Sequence, residues 1–210
     1  MTRGVRFAVN QHSRYKDLES LDTCDPIWGR FFTVAPLVLV GTLEEDGSAD
    51  FAPKHMAFPL GWSNHFGFVC TPRHGTYRNA QRTGAFTVSY PRPTSLVMTS
   101  LTAAPRCDNA KPILKVTDTF PALHVKGQLV SSGYLFLECE VTKIVDGFDV
   151  NSLVAGSVVA AYADPSALRR TDRDDAEILL DVPQIAYLYP GRFAVISKTE
   201  AFPFPAGMRL

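Results

Sequence analysis

Charge is balanced in this chain: Lys plus Arg equals Asp plus Glu at 21 each among 210 residues. Without a net field there is nothing to recruit nucleic acid or an anionic membrane, so neither is expected as a partner. Paired cysteines are also missing. Cys24, Cys70, Cys107 and Cys139 lie tens of residues apart with no CxxC, which fits neither a zinc site nor a dense disulfide framework. Free thiols in a reducing, cytoplasmic setting and no bound metal are the expectation. Long apolar runs are absent too: the opening MTRGVRFAVNQHSRYKDL has none before a cleavage site, and those elsewhere are broken by Thr33, Pro36 and Gly156, so a soluble protein is expected. There is no GxGxxG after a strand, no GxxxxGK[ST], no HExxH and no GxSxG. A Rossmann site, a P-loop, a zincin and a serine-hydrolase elbow therefore all lack their fingerprints.

What is present suits one domain with extensions. At 46% apolar and 20% charged, the chain can bury a proper core. Residues 1–34 read as an N-terminal extension with a helical turn, 35–200 as the domain and 201–210 as a tail. The stretch from Tyr187 carries Phe193, Phe202 and Phe204 around prolines. It is too apolar to hang free in water and is expected to pack across the domain or onto a second subunit.

Short strands dominate the pattern. APLVLVGT, residues 35–42, is β-branched and apolar, residues 44–47 form a turn ending in Asp-Gly, and the chain resumes as strand from Ala49, a hairpin signature. FGFVCT, residues 66–71, and the alternating stretch 86–90 are further strands, with a helix between them. Thr76 is placed to cap that helix and Gly84 to end it in the left-handed region; Pro91 and Pro93 stop the following strand. Residues 135–146 and 153–163 should pair as a hairpin turning around Gly147. Residues 166–180, rich in Arg and Asp, read as a solvated helix or turn. Many short strands with few helical periods predict a mainly β barrel with inserted helices.

Two places carry chemistry. The helix after His74 presents unpaired amides and the positive end of its dipole, and Thr71, Arg73, His74 and Thr76 surround that end, an arrangement suited to a terminal phosphate. The plainer alternative is a capping Thr76 and a solvated Arg73. On the second hairpin strand, Lys54 and Met56 share one face while Pro53 and His55 share the other. A planar heterocycle could lie there, with Met56 in polarisable contact and Lys54 or His55 stabilising negative charge near a ring nitrogen. A solvated Lys or His is again the alternative. A thiol enzyme built on Cys70 or Cys139 with His55, His74 or His124 has no support in the spacing, and Cys139 lies in an apolar strand pattern that reads as core.

The motifs VGTxxxDGxxxxAPKHM, a strand ending in CTPRH, and TYRNAxxTGxFTVSYP together resemble the flavin reductase family of FMN-binding split barrels, to which flavoredoxin-like proteins belong. The similarity runs from about Pro36 to Ala163. It implies a mainly β, Greek-key split barrel with a few short helices, forming a homodimer with one FMN near the subunit interface. By the family pattern Pro53, Lys54, His55 and Met56 line the isoalloxazine, and Cys70 to Thr76, above all Thr71, Arg73 and Thr76 with His74 among them, hold the phosphate. Ser89 is a further cofactor candidate, and either Lys111 or Lys115 reaches the phosphate. The implied activity is an NAD(P)H-dependent flavin oxidoreductase: NADH or NADPH passes hydride to FMN N5, and electrons go on to an acceptor or a partner oxygenase. Reductases of the family commonly carry a His shortly before the glycine matching Gly156, where this chain has Asn151. That departure bears on nicotinamide handling and keeps a second reading open, a non-catalytic FMN-binding electron carrier.

Overall fold

The computed structural model describes residues 13–106, 111–205 and 207. Cys107, residues 1–12 of the expected extension and positions 206 and 208–210 of the expected tail lie outside the described residues. Two 3-10 turns, Ser13–Asp17 and Ile27–Arg30, precede the first strand, where the sequence suggested one.

Among the described residues, twelve strands and three short α-helices follow. Strands β1 (Thr33–Pro36), β2 (Val38–Leu43), β3 (Ala49–Lys54), β4 (Ala57–Pro59) and β5 (His65–Cys70) lead into helix α1 (Gly75–Thr83). After β6 (Ala85–Pro91) come α2 (Leu96–Leu101), β7 (Thr119–Pro121), β8 (Gln128–Val130) and the long pair β9 (Gly133–Phe148) and β10 (Asn151–Ala163). Helix α3 (Asp175–Asp181), β11 (Gln184–Tyr189) and β12 (Arg192–Ile196) complete the chain.

Seven strands form one sheet in the order β3-β2-β6-β9-β10-β5-β4. Its outermost members, β3 and β4, are separated in sequence by only His55 and Met56. Three Cα steps span at most roughly 11 Å, so the two edges must come together and the sheet must curl into a barrel split at that seam. Register slips between Ala155 and Gly156 and between Val158 and Ala160 bend the β9–β10 ribbon, as bulges do. At Gly156 a Cβ would lie 2.7 Å from the Phe86 ring and 2.8 Å from the Glu140 carbonyl, so the glycine is what lets that ring close against the bent strand.

The barrel interior is filled by Val38, Val40, Phe66, Phe68, Phe86, Val88, Cys139 and Val154, with Tyr77 and Ala80 of α1 closing one side. Leu39, on the opposite face of β2, packs with Phe51 and Val130 in a second cluster, which is why β2 reads as a continuous apolar run rather than an alternating one. The Asp-Gly turn forms as expected: Gly47 takes φ +82°, and the Asp46 carboxylate accepts from the Ser48 amide at 2.9 Å.

Three local expectations shift. His74 rather than Thr76 occupies the cap position of α1, no side chain caps that end, and Thr76 sits buried inside the first turn; the helix starts two residues earlier than a Thr76 cap requires. Gly84 ends the helix in the left-handed region as expected, at φ +68°. The β9–β10 hairpin turns at residues 149–150, two positions beyond Gly147, with Asp149 at φ +56°. The stretch from Tyr187 is sheet as well as tail. β11 pairs with β1 and with β12 in a separate three-stranded sheet, while Phe193, Phe202 and Phe204 remain exposed in the single chain.

Candidate functional site

A cavity of about 300 Å³ opens at the N-terminus of α1, lined by Pro53, Lys54, His74, Gly75, Thr76, Arg106 and Lys111 among others. Three segments distant in sequence build it: the end of β3, the start of α1 and the stretch on either side of residues 107–110. Its cations are already engaged. Lys111 is 9% exposed; its Nζ donates to the Phe51 carbonyl at 2.7 Å and lies 2.8 Å from Asp50 Oδ1 as an ion pair. Arg106 pairs with Glu44 and lies 3.2 Å from Asp50 Oδ2. At Gly75 a Cβ would meet Arg106 Nη2 at 2.8 Å. The backbone there needs no glycine for its conformation, and the flexible end of Arg106 could shift to admit a side chain.

The donors suit an oxyanion: uncapped helix amides, the Thr76 hydroxyl and three cationic side chains within one small concavity. His74 contributes as a neutral ring, because partial burial first and then the nearby charges of Lys54, Lys111 and Arg78 lower its pKa. The volume suits a phosphate with a short polyol.

The expected residues divide between two clefts. Lys54, Pro53, His74 and Thr76 meet in the cavity just described. Thr71 and Arg73 instead line a separate cleft of about 540 Å³ on another face of α1, with Tyr77, Arg78, Asp146, Asn151 and Ser152. There Asp146 Oδ1 accepts from Ser152 Oγ at 2.6 Å and from Tyr77 OH at 3.2 Å. Of the two lysines, Lys111 lines the cavity, whereas Lys115 is exposed outside it.

Three further candidates, His55, Met56 and Ser89, lie outside that cavity. His55 stacks against Tyr187 and Tyr189 of β11, with centroids at 4.7 and 5.6 Å, so it docks the small sheet onto the barrel seam. Met56 is exposed beside it. Ser89 is 1% exposed and its hydroxyl accepts the Val130 amide at 3.0 Å; this buried bond holds β8 against β6, and Ser89 does not line the cavity. Cys70 is buried under the cavity, its sulfur accepting from Lys54 Nζ at 3.4 Å and 3.9 Å from His74 Nδ1. Cys139 is wholly buried, and burial pushes its thiol up to about 12, so it is core, as the strand pattern predicted.

Arg106 and Asp50 were not legible in the sequence, because a lone Arg in a loop and a lone Asp on a strand carry no spacing signal. Glu138 was equally hidden. Its side chain is fully buried and accepts the amides of Leu123, His124 and Val125 at 2.9, 2.6 and 3.0 Å. Among the described residues, no cluster of three His, Cys, Asp or Glu could hold a metal, and no helix is long and apolar enough to cross a membrane.

A split, curled seven-stranded barrel with an anion-suited cleft at the start of its first helix is the architecture of the split-barrel flavoproteins. The model of the flavin reductase like domain matches residues 29–194, and the chain belongs to that family. Solved structures agree on the fold. A flavin reductase with split barrel domain from Shewanella frigidimarina NCIMB 400 is 16% identical with a TM-score of 0.72, over 82% of this chain and 87% of that one. The FMN-binding protein from Thermus thermophilus, solved with 1-cyclohex-2-enone, is 17% identical with a TM-score of 0.73, over 88% and 99%. Nitrilotriacetate monooxygenase component B from Bacillus cereus is 18% identical with a TM-score of 0.74, over 88% and 98%. No curated protein matches the chain in sequence.

Proposed function

We propose that the chain binds FMN and acts as an NAD(P)H-dependent flavin oxidoreductase. The observation that carries the reading is the cavity at the start of α1, cationic at Lys54, Arg106 and Lys111 and opening onto the barrel seam, in a member of the flavin reductase like family. The phosphate lies against the uncapped amides of α1, held by the Thr76 hydroxyl, Lys111 and Lys54. Arg106 and Lys111 neutralise Asp50 and Glu44, which would otherwise repel it. Bound FMN supplies hydride acceptance and onward electron transfer. The chain positions it, with Pro53 and Met56 along the ring, and leaves the exposed side of the seam open for a nicotinamide.

Neighbours support the cofactor and the outlet by name: one is an FMN-binding protein and another a monooxygenase component. A partner oxygenase or other acceptor therefore takes the electrons. Self-association into a homodimer accounts for the apolar surface of the single chain, which leaves Trp62 97%, Phe202 72% and Phe32 64% exposed. Sedimentation equilibrium at micromolar concentration should return twice the chain mass.

Purified protein should be yellow, or turn so with added FMN, and release FMN on denaturation. Mixing with NADH or NADPH should bleach the flavin band within seconds. A colourless protein that takes up no FMN would end the flavin reading. Tightly held flavin that neither nicotinamide reduces would leave the electron-carrier reading, which Asn151 at the Arg73 cleft favours.

A further inference from the structure

Among the described residues at the site, Cys70 is a buried nucleophilic group that the proposed chemistry leaves without a task. It ends β5, while Lys54 ends β3, and these strands lie on opposite sides of the seam where the barrel is split. The Lys54 Nζ to Cys70 Sγ bond at 3.4 Å therefore bridges the split beneath the cavity. The same thiol is placed to donate to its neighbour's carbonyl, Thr71 O, at 3.7 Å, and its sulfur lies 3.9 Å from His74 Nδ1, at the cap position of α1. Both Lys54 and His74 line the cavity; Cys70 itself is 3% exposed and does not.

We infer that Cys70 is a positioning residue, which through Lys54 and His74 sets how the cavity receives the phosphate of a flavin mononucleotide; the inference rests on the FMN reading above. An ammonium has three donors and no acceptor. One donor spent on the buried sulfur leaves two for an anion and holds a long, flexible side chain across the seam. A thiol is also a donor. Its single proton has two acceptors in reach, Thr71 O and His74 Nδ1; turned to His74 Nδ1, it fixes the neutral ring as the Nε2–H tautomer, so that the nitrogen remote from the sulfur is a donor to an anion rather than a repelling lone pair. His74 suits this role because its lowered pKa keeps the ring neutral. Without the sulfur, Lys54 loses its tether and His74 its tautomer, and the barrel core, to which Cys70 belongs, loses one small contact that would weaken both ligands alike.

The test is a double-mutant cycle read with two ligands. FMN and riboflavin are titrated by flavin fluorescence against the wild type, Cys70→Ala, Cys70→Ser, Lys54→Met and Cys70→Ala/Lys54→Met. Cys70→Ala should weaken FMN at least fivefold more than riboflavin, since only FMN carries the phosphate, and Cys70→Ser, which keeps a donor and acceptor, should recover most of that loss. In the Lys54→Met background the further loss on removing the sulfur should shrink at least threefold. Nitrogen NMR of the ligand-free protein supplies a readout independent of flavin: His74 should report Nε2–H in the wild type and lose that preference in Cys70→Ala. Equal weakening of both ligands, an additive cycle or an unchanged tautomer overturns the inference and leaves FMN binding standing. A wild type that binds neither ligand overturns both.

Discussion

Replacing Glu138 by Gln tests how much one buried carboxylate holds this fold together. In the native chain Oε2 accepts the His124 and Val125 amides at 2.6 and 3.0 Å, and Oε1 accepts Leu123 at 2.9 Å, with no solvent exposure. Gln keeps the shape. Its best orientation places the oxygen on the two-bond side and its NH2 against the Leu123 amide. Two charge-assisted bonds then become neutral ones, a loss of about 1 kcal/mol each, and one buried amide is left facing a donor at a cost of about 1–3 kcal/mol. The sum is roughly 3–5 kcal/mol, or a fall of about 6–20 °C in melting temperature at roughly 2–4 °C per kcal/mol for a chain of this size.

The pH dependence sharpens that test. Burial alone would raise the Glu138 pKa, but the three amides outweigh it and hold the carboxyl below the usual range. The folded state therefore binds this proton less tightly than the unfolded state, whose pKa is about 4.3. Its contribution is complete above that value and is lost as pH falls through the lower, folded pKa. Melting curves and urea titrations from pH 7 to pH 3 should show the wild type and the variant far apart at neutral pH and converging below about pH 4. A shift under 2 °C at pH 7, or a gap that does not narrow in acid, would refute the reasoning.

Lys111→Met should weaken FMN by about 10- to 100-fold, as expected for one lost charge-assisted contact of about 1.5–3 kcal/mol, with riboflavin little changed. Arg73→Ala, facing the other cleft, should alter FMN affinity less than twofold; the reverse pattern would move the phosphate to the Arg73 side. The His55 pKa is lowered, by burial first and then by Lys54, so the native state takes up fewer protons than the unfolded one. Stability is consequently lost as pH falls below about 6.5, and His55→Phe, which keeps the stack on Tyr187 and Tyr189, should lessen the drop in urea-derived stability between pH 7 and pH 5. In native protein Cys139 should resist iodoacetamide for hours while the exposed Cys24 reacts, as peptide mass mapping would reveal; early labelling of Cys139 would show that its strand opens.

Local pattern carried much of the architecture. The Asp46-Gly47 turn, the apolar run of β2, the left-handed Gly84 and the alternation through β9 are each dictated within a few residues by backbone sterics or by burial, so they are legible one window at a time. The start of α1 as an anion-suited place was legible for the same reason. Which side chains meet there was not. Thr71 and Arg73 lie beside His74 and Thr76 in sequence yet face a different cleft, because a helix start turns successive residues to different sides. Lys111 comes to the cavity from a segment 60 residues beyond Phe51, whose carbonyl it meets, and Lys54 reaches Cys70 only because the sheet curls until its edges meet. By itself the sequence determined the strands, their turns and the helix end that could receive a phosphate, since these depend on short-range geometry. Only the tertiary structure decided the membership of the cavity and the fate of His55, Ser89 and Glu138, because a closed barrel brings together residues that no local spacing relates.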